Sequence, residues 1–196
     1  MANHFYAYIS RMRCVKRWAL MRNTEEENIQ EHSHMVAVLA HALGVIRRDI
    51  FHQPCDVNAL ATAALYHDAS EILTGDLPTP IKYHNAEIMS AYHAVEDLAV
   101  QKLLGMLPPE LRETYADVLA EDKDGDIYPL VKAADKLSAY IKCIEERKDG
   151  NNEFLSAEAQ TRAALEASPL PEVQYFLEHF IPAFERDLDE LGAIGQ

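Results

Sequence analysis

Apolar residues recur along most of this chain at intervals of three and four, and no window sustains the apolar–polar alternation of a strand. The clearest stretch opens at Asn28, where Glu31 three residues on completes a capping-box pattern. From there His32, Met35, Val36, Leu39, Leu43 and Ile46 share one face of a helix that runs to about Arg48. His34 and His41 fall on the opposite side and are expected to face solvent. Asp56 caps a second helix through Tyr66, with an extension to Leu73 that Gly75 stops. The segment Leu77-Pro78-Thr79-Pro80 cannot lie inside a helix, because each proline removes a donor and restricts its predecessor. Further helices are predicted over 85–105, 109–120, 127–148, 153–167 and 171–191. Pro108-Pro109, Gly125, Gly150-Asn151-Asn152 and Pro169/Pro171 punctuate them. Val173, Phe176, Leu177, Phe180, Phe184, Leu188 and Leu191 form a wide stripe on the last of these, read as core with a subunit interface as the alternative, and Pro182 should kink it. The expectation is one all-α domain of six to eight helices.

Composition narrows the class. A length of 196 residues with 48% hydrophobic and 26% charged residues fits a single globular domain rather than a disordered chain. No apolar run approaches the length needed to span a bilayer, and Phe5 to Ile9 is too short, with Arg11 and Arg13 behind it, for a secretory signal. Cys14, Cys55 and Cys143 form no CxxC and leave one thiol unpaired, which points to reduced cysteines in a cytoplasm. The net charge of −14 disfavours nucleic acid as a partner. That charge is uneven: residues 1–23 hold five bases and no acid. Such a stretch either grips a small anion or docks on the acidic remainder of the chain.

Histidines and carboxylates are the chemically informative positions. His67-Asp68 follows the apolar stretch Leu60 to Leu65, and helical spacing sets Asp68 and Glu71 on one face. This is either a capped helix end with a surface acid or half of a metal site, where a ligand carboxylate and a nearby base are both required. His32 lies on the apolar face of its own helix, as a core histidine or as a second ligand. Two imidazoles with carboxylates suit first-row divalent ions. Asp135 follows the small pair Ala133-Ala134, and its spacing alone fits a partner for Lys132 or a solvated surface acid as readily as a ligand. Trp18, the single tryptophan, stands beside Arg17. The guanidinium could fork onto phosphate oxygens and the indole could pack on a sugar, or the indole could simply anchor the core.

Taken together, His32, His67-Asp68 and Asp135 resemble the H…HD…D pattern of the HD-domain metal-dependent phosphohydrolases. The similarity sharpens with Arg17-Trp18, Leu20-Met21-Arg22-Asn23, Glu31-His32-Ser33, Tyr66 through Glu71, Thr74 through Pro80, and Lys82. Lys132-Ala133-Ala134-Asp135, Ala139-Tyr140 and Gly150 through Phe154 extend it over essentially the whole chain. These segments resemble the bacterial 5′-deoxynucleotidases of the YfbR type. Ala19 departs from the pattern where a proline is expected, and Glu121 to Asp126 diverges. No GxxxxGK[ST] phosphate loop, no GxSxG elbow and no HHExxxGxGYP-like extension is present.

The resemblance implies a single HD domain over 1–196: a basic substrate-binding segment 1–23, metal-binding helices 28–148 and C-terminal helices 153–191. It implies a homodimer that hydrolyses deoxyribonucleoside 5′-monophosphates. By the same resemblance His32, His67, Asp68 and Asp135 ligate one divalent ion, with Co, Mn, Fe or Zn favoured and Mg admissible. Glu71 is then the group that orients or deprotonates the attacking water, Arg17 holds the phosphate, Trp18 crowds a 2′-hydroxyl, and Asp76 sits near substrate. The alternatives are an HD phosphohydrolase acting on nucleoside triphosphates or another phosphate ester, a nucleotide sensor without turnover, and a helical module without metal.

Overall fold

A computed structural model of the chain describes residues 3–82, 84–120 and 125–192. The divergent acidic positions 121–124 lie outside them. Among the described residues the chain is helical without a strand; one isolated antiparallel bridge pairs Lys16 with Asn28. A short helix α1 (Phe5–Ile9) and a 3-10 turn (Met12–Cys14) precede α2 (Ile29–Val45). The capping box is present: Asn28 accepts from Gln30 and Glu31, and Glu31 returns to the Asn28 N–H. This helix ends earlier than the periodicity suggests, because residues Ile46–Ile50 widen into a π turn.

Asp56 caps α3 (Val57–Tyr66) by accepting from Asn58 and Ala59. The predicted extension is interrupted by a turn at His67–Ser70 before α4 (Glu71–Thr74), which Gly75 ends at φ 75°. The proline segment leads into α5 (Thr79–Lys82), where Pro80 stands in a first turn that needs no donor. The longer helices α6 (Ala86–Gly105), α7 (Pro109–Leu119), α8 (Tyr128–Lys148) and α9 (Leu155–Glu166) match the sequence pattern closely.

The C-terminal segment corrects the pattern. In place of one kinked helix there are three short ones, α10 (Pro171–His179), α11 (Ile181–Phe184) and α12 (Leu188–Gly192). Proline at 182 cannot continue α10, so the chain restarts. Val173 and Phe176 are buried as expected, but Phe180 is 44% exposed and Leu188 84% exposed, so the stripe is core only in its first half. Met35 is likewise at the edge of its face rather than within the core.

Helix α2 is the axis of the main core. Val36, Leu39, Ala40 and Leu43 meet Leu60 and Ala64 of α3 and Leu130, Ala134, Leu137 and Ile141 of α8. Gly44 allows the close approach to α3, since a Cβ there would lie 3.0 Å from Leu60 Cδ2 and 3.3 Å from Val57 Cγ1. Ala133 and Ala134 do the same service on α8, where small side chains let two helices approach. A second cluster, Phe5, Ala69, Leu103, Leu104, Leu107 and Leu119, seals α1 against α6 and α7. His32, His67 and Asp135 therefore lie on the three helices that the main core clamps together, so core packing also fixes the distances between them.

Candidate metal centre

His32, in the first turn of α2, is fully buried. Its Nε2 lies 3.0 Å from Asp135 Oδ1 and 3.6 Å from Asp68 Oδ2. Its other ring nitrogen, Nδ1, is 3.2 Å from Ser138 Oγ, one turn along α8 from Asp135. His67 is the C-terminal cap of α3, and its ring centroid is 5.4 Å from that of His32. The tautomer of His67 follows from its partner. A carbonyl only accepts, and Nδ1 is 2.8 Å from Ala64 O, so Nδ1 donates, and in the neutral ring Nε2 is then the atom with the lone pair. That buried Nε2 has no hydrogen-bond partner among the described residues, although Asp68 Oδ1 is 3.2 Å away.

One donor atom each from His32, His67 and Asp135 lies within 4.8 Å of the others, and Asp68 adjoins both histidines. An aimed lone pair without a donor, facing an imidazole and two carboxylates, is a donor set that a divalent cation satisfies. Burial alone would raise the pKa of both acids. The neighbouring imidazoles and Arg17 instead hold Asp68 and Asp135 below the usual carboxylate range.

Other predicted site residues surround this cluster. Arg17 Nη1 is 3.5 Å from Asp68 Oδ2, and the guanidinium is largely shielded from solvent. Its desolvation is more than offset by Asp135, Asp68, Glu27 and Asp76. Glu71 opens α4 and is 6% exposed, with Oε2 lacking a partner among the described residues. Burial, together with Asp68 and Asp76, pushes its carboxyl up to about 9; Arg17 and Lys82 act in the opposite sense. Gly75 turns the chain so that Asp76 follows at the same site, raised by burial and by Asp68 and opposed by Arg17. Trp18 is half-buried, with its ring 5.2 Å from that of the fully buried Phe154.

The cluster opens on a cavity of about 350 Å³, whose walls include His67, Asp68, Lys82, Glu96 and Lys132. Lys82 donates to Glu96 at 3.0 Å and sits 4.5 Å from the centre of the Tyr92 ring, so a cation is fixed at its edge. Sequence reasoning missed Glu27, Ser138 and the Lys82–Glu96 pair. The only trace of Glu27 is the acidic run Glu25-Glu26-Glu27 directly after the basic stretch. Its partners Arg17 and Trp18 are met only through the folded loop.

Comparison with known proteins gives one consistent result. The family model for 5′-deoxynucleotidase YfbR-like proteins matches residues 4–184. The 5′-deoxynucleotidase YfbR of Shigella flexneri serotype 5b is 49% identical over 191 residues, covering 97% of this chain and 96% of its own. An HD-domain phosphohydrolase of Listeria innocua superposes with a TM-score of 0.82 at 26% identity, over 94% of this chain and 90% of its own. The HD phosphohydrolase of cyanophage S-2L, solved with dA and one catalytic Zn2+ ion, superposes with a TM-score of 0.59 at 26% identity, over 94% of this chain and 96% of its own.

Proposed function

The chain belongs to the YfbR-like 5′-deoxynucleotidase family, and we propose that it hydrolyses deoxyribonucleoside 5′-monophosphates to the deoxynucleoside and phosphate. The observation that carries this is the aimed, unpartnered Nε2 of His67 beside His32, Asp68 and Asp135. Those four residues would hold one divalent ion, with Co, Mn, Fe or Zn suited to the mixed donor set and Mg less so. When bound, such an ion supplies Lewis acidity, which lowers the pKa of water and neutralises phosphate charge.

The remaining steps belong to this chain's own side chains. Arg17, held cationic among carboxylates, pairs with the phosphoryl oxygens and stabilises the charge that shifts during P–O cleavage. With a divalent ion bound, the added positive charge would draw the Glu71 carboxyl down from about 9, so that Oε2 would take the proton of the attacking water and return it to the departing 5′-oxygen. Trp18 closes the sugar side, where a 2′-hydroxyl meets the indole and a deoxyribose does not. Asp76 lies beside the same substrate, and the Lys82 edge of the cavity adds positive charge. The same reading makes the working protein a cytoplasmic homodimer; the exposed Phe180 and Leu188 support a second copy by offering apolar surface near the C-terminus.

Glu71→Gln tests the assignment. The variant should bind one metal per chain as the wild type does, while dAMP hydrolysis falls by roughly 100-fold or more. Retained turnover would remove Glu71 from the mechanism. Absence of dAMP hydrolysis by the wild type with Co, Mn, Fe and Zn would overturn the reading as a whole.

A further inference from the structure

Between Val15 and Ile29 the chain leaves the helical core and returns to it. The neck of this loop is closed by backbone pairs: the Arg17 N–H donates to Glu27 O at 2.9 Å and the Ile29 N–H to Val15 O at 3.0 Å. Its far end is fixed on α8, where Glu146 accepts from the Thr24 N–H at 2.9 Å and from the Thr24 hydroxyl at 2.7 Å. What remains is the interior of the loop, which carries Arg17 and Trp18.

One carboxylate oxygen organises that interior. Glu27 Oε2 accepts from Arg17 Nε at 3.1 Å and from the Trp18 indole N–H at 2.9 Å. The guanidinium and the indole are therefore tied to a single atom, and neither can turn without disturbing the other. Both need such a tie. An arginine side chain has many accessible rotamers. Trp18 sits at φ 56°, a left-handed backbone region that a bulky residue adopts only when its surroundings impose it.

Two simpler roles for Glu27 fit less well. Charge balance for Arg17 is already offered by Asp68, 3.5 Å away. Membership of the metal cluster is opposed by geometry: Glu27 Oε1 is 3.8 Å from His32 Nδ1, whereas the cluster lies at the Nε2 edge of that ring. Glu27 thus stands behind His32.

We propose that Glu27 is the positioning residue of the Arg17–Trp18 pair, and so sets both the grip on phosphate and the preference for deoxyribose. The proposal rests on the reading of Arg17 and Trp18 as substrate contacts. Glu27 itself touches neither substrate nor the reacting atoms; it acts through the two side chains it holds.

Trp18 is the single tryptophan, so intrinsic emission reports its indole without any substrate. Glu27→Ala removes both contacts, while Glu27→Gln retains an acceptor oxygen and loses the charge. In the Ala variant we expect a red-shifted emission, readier acrylamide quenching, and a fall of about tenfold in the deoxy-over-ribo ratio of kcat/KM for dAMP and AMP. The loss should lie mainly in KM, with one metal per chain retained. The Gln variant should keep wild-type emission and still show a raised KM for dAMP, because the Arg17 Nε bond to residue 27 falls from a charge-assisted to a neutral one while the indole keeps its acceptor. Wild-type emission and an unchanged ratio in the Ala variant would overturn the proposal, as would a wild-type KM in the Gln variant if the Ala variant does not fold. A wild-type enzyme with no deoxy preference would sink the substrate reading instead. The emission of the two variants would still decide whether Glu27 holds the pair.

Discussion

Replacing Glu146 with Gln should destabilise the protein strongly although the residue lies outside the metal cluster. Glu146 is 1% exposed on α8 and accepts from Lys142 Nζ at 2.5 Å, from Thr24, and from Asn151 Nδ2 at 2.8 Å. Lys142 also donates to Glu25 O, and Asn151 to Arg22 O, so one buried carboxylate gathers the whole 22–25 turn. Burial works against the charge, but these donors win and draw the carboxyl down to about 2 from an ordinary 4.5. That gap corresponds to about 3 kcal/mol at pH 7. The cost of leaving the Lys142 ammonium buried without its partner is of the same size, roughly 3–5 kcal/mol. Because the folded pKa is depressed, the contribution is complete above the unfolded value of 4.5 and is lost as pH falls towards 2. Urea unfolding of wild type and Glu146→Gln should differ by about 3 kcal/mol at pH 7 and by about 1 kcal/mol at pH 3. A difference below about 1 kcal/mol at pH 7, or one independent of pH, would refute the reasoning.

Other outcomes follow from single positions. Gly75 sits at φ 75° and ψ 160°, and a Cβ there would meet no atom of the described residues within 4 Å. Gly75→Ala therefore costs backbone strain alone, about 1–3 kcal/mol, read as a lowered Tm. His67→Gln should abolish stoichiometric metal binding by elemental analysis while leaving the helical circular dichroism unchanged; retained metal would remove His67 from the donor set. Burial pushes the Cys143 thiol up to about 12, whereas Cys14 is exposed. A thiol reagent at pH 8 should therefore modify Cys14 in the native protein and reach Cys143 only on unfolding, as mass spectrometry of digests would show.

Local signals in the sequence were enough for most of the helices. Asn28 with Glu31, Asp56 and Gly75 each act within a few residues of themselves, and each is found in its predicted role. The C-terminal stripe misled because periodicity records which residues could share a face, not whether a neighbour covers it. Past Pro182, Leu188 is left largely uncovered among the described residues. The π turn at Ile46–Ile50 and the short α1 leave no periodic trace at their length. At the site, the HD doublet and the inward His32 were readable, and Asp135 could be singled out only by resemblance. Glu27, Ser138 and Glu146 were not legible. Their partners lie across the folded loop or more than a hundred residues away, as with His32 to Ser138 and Thr24 to Glu146.

Whether the cluster serves hydrolysis of deoxynucleoside monophosphates is tested most directly by phosphate release from paired substrates, dAMP with AMP and dTMP with UMP. Chelated protein would be assayed before and after addition of Co, Mn, Mg or Zn. No release is expected without metal and, with it, release from the deoxy members in clear preference. Equal release from both members of each pair would contradict the role of Trp18, and no release with any metal would contradict the activity itself.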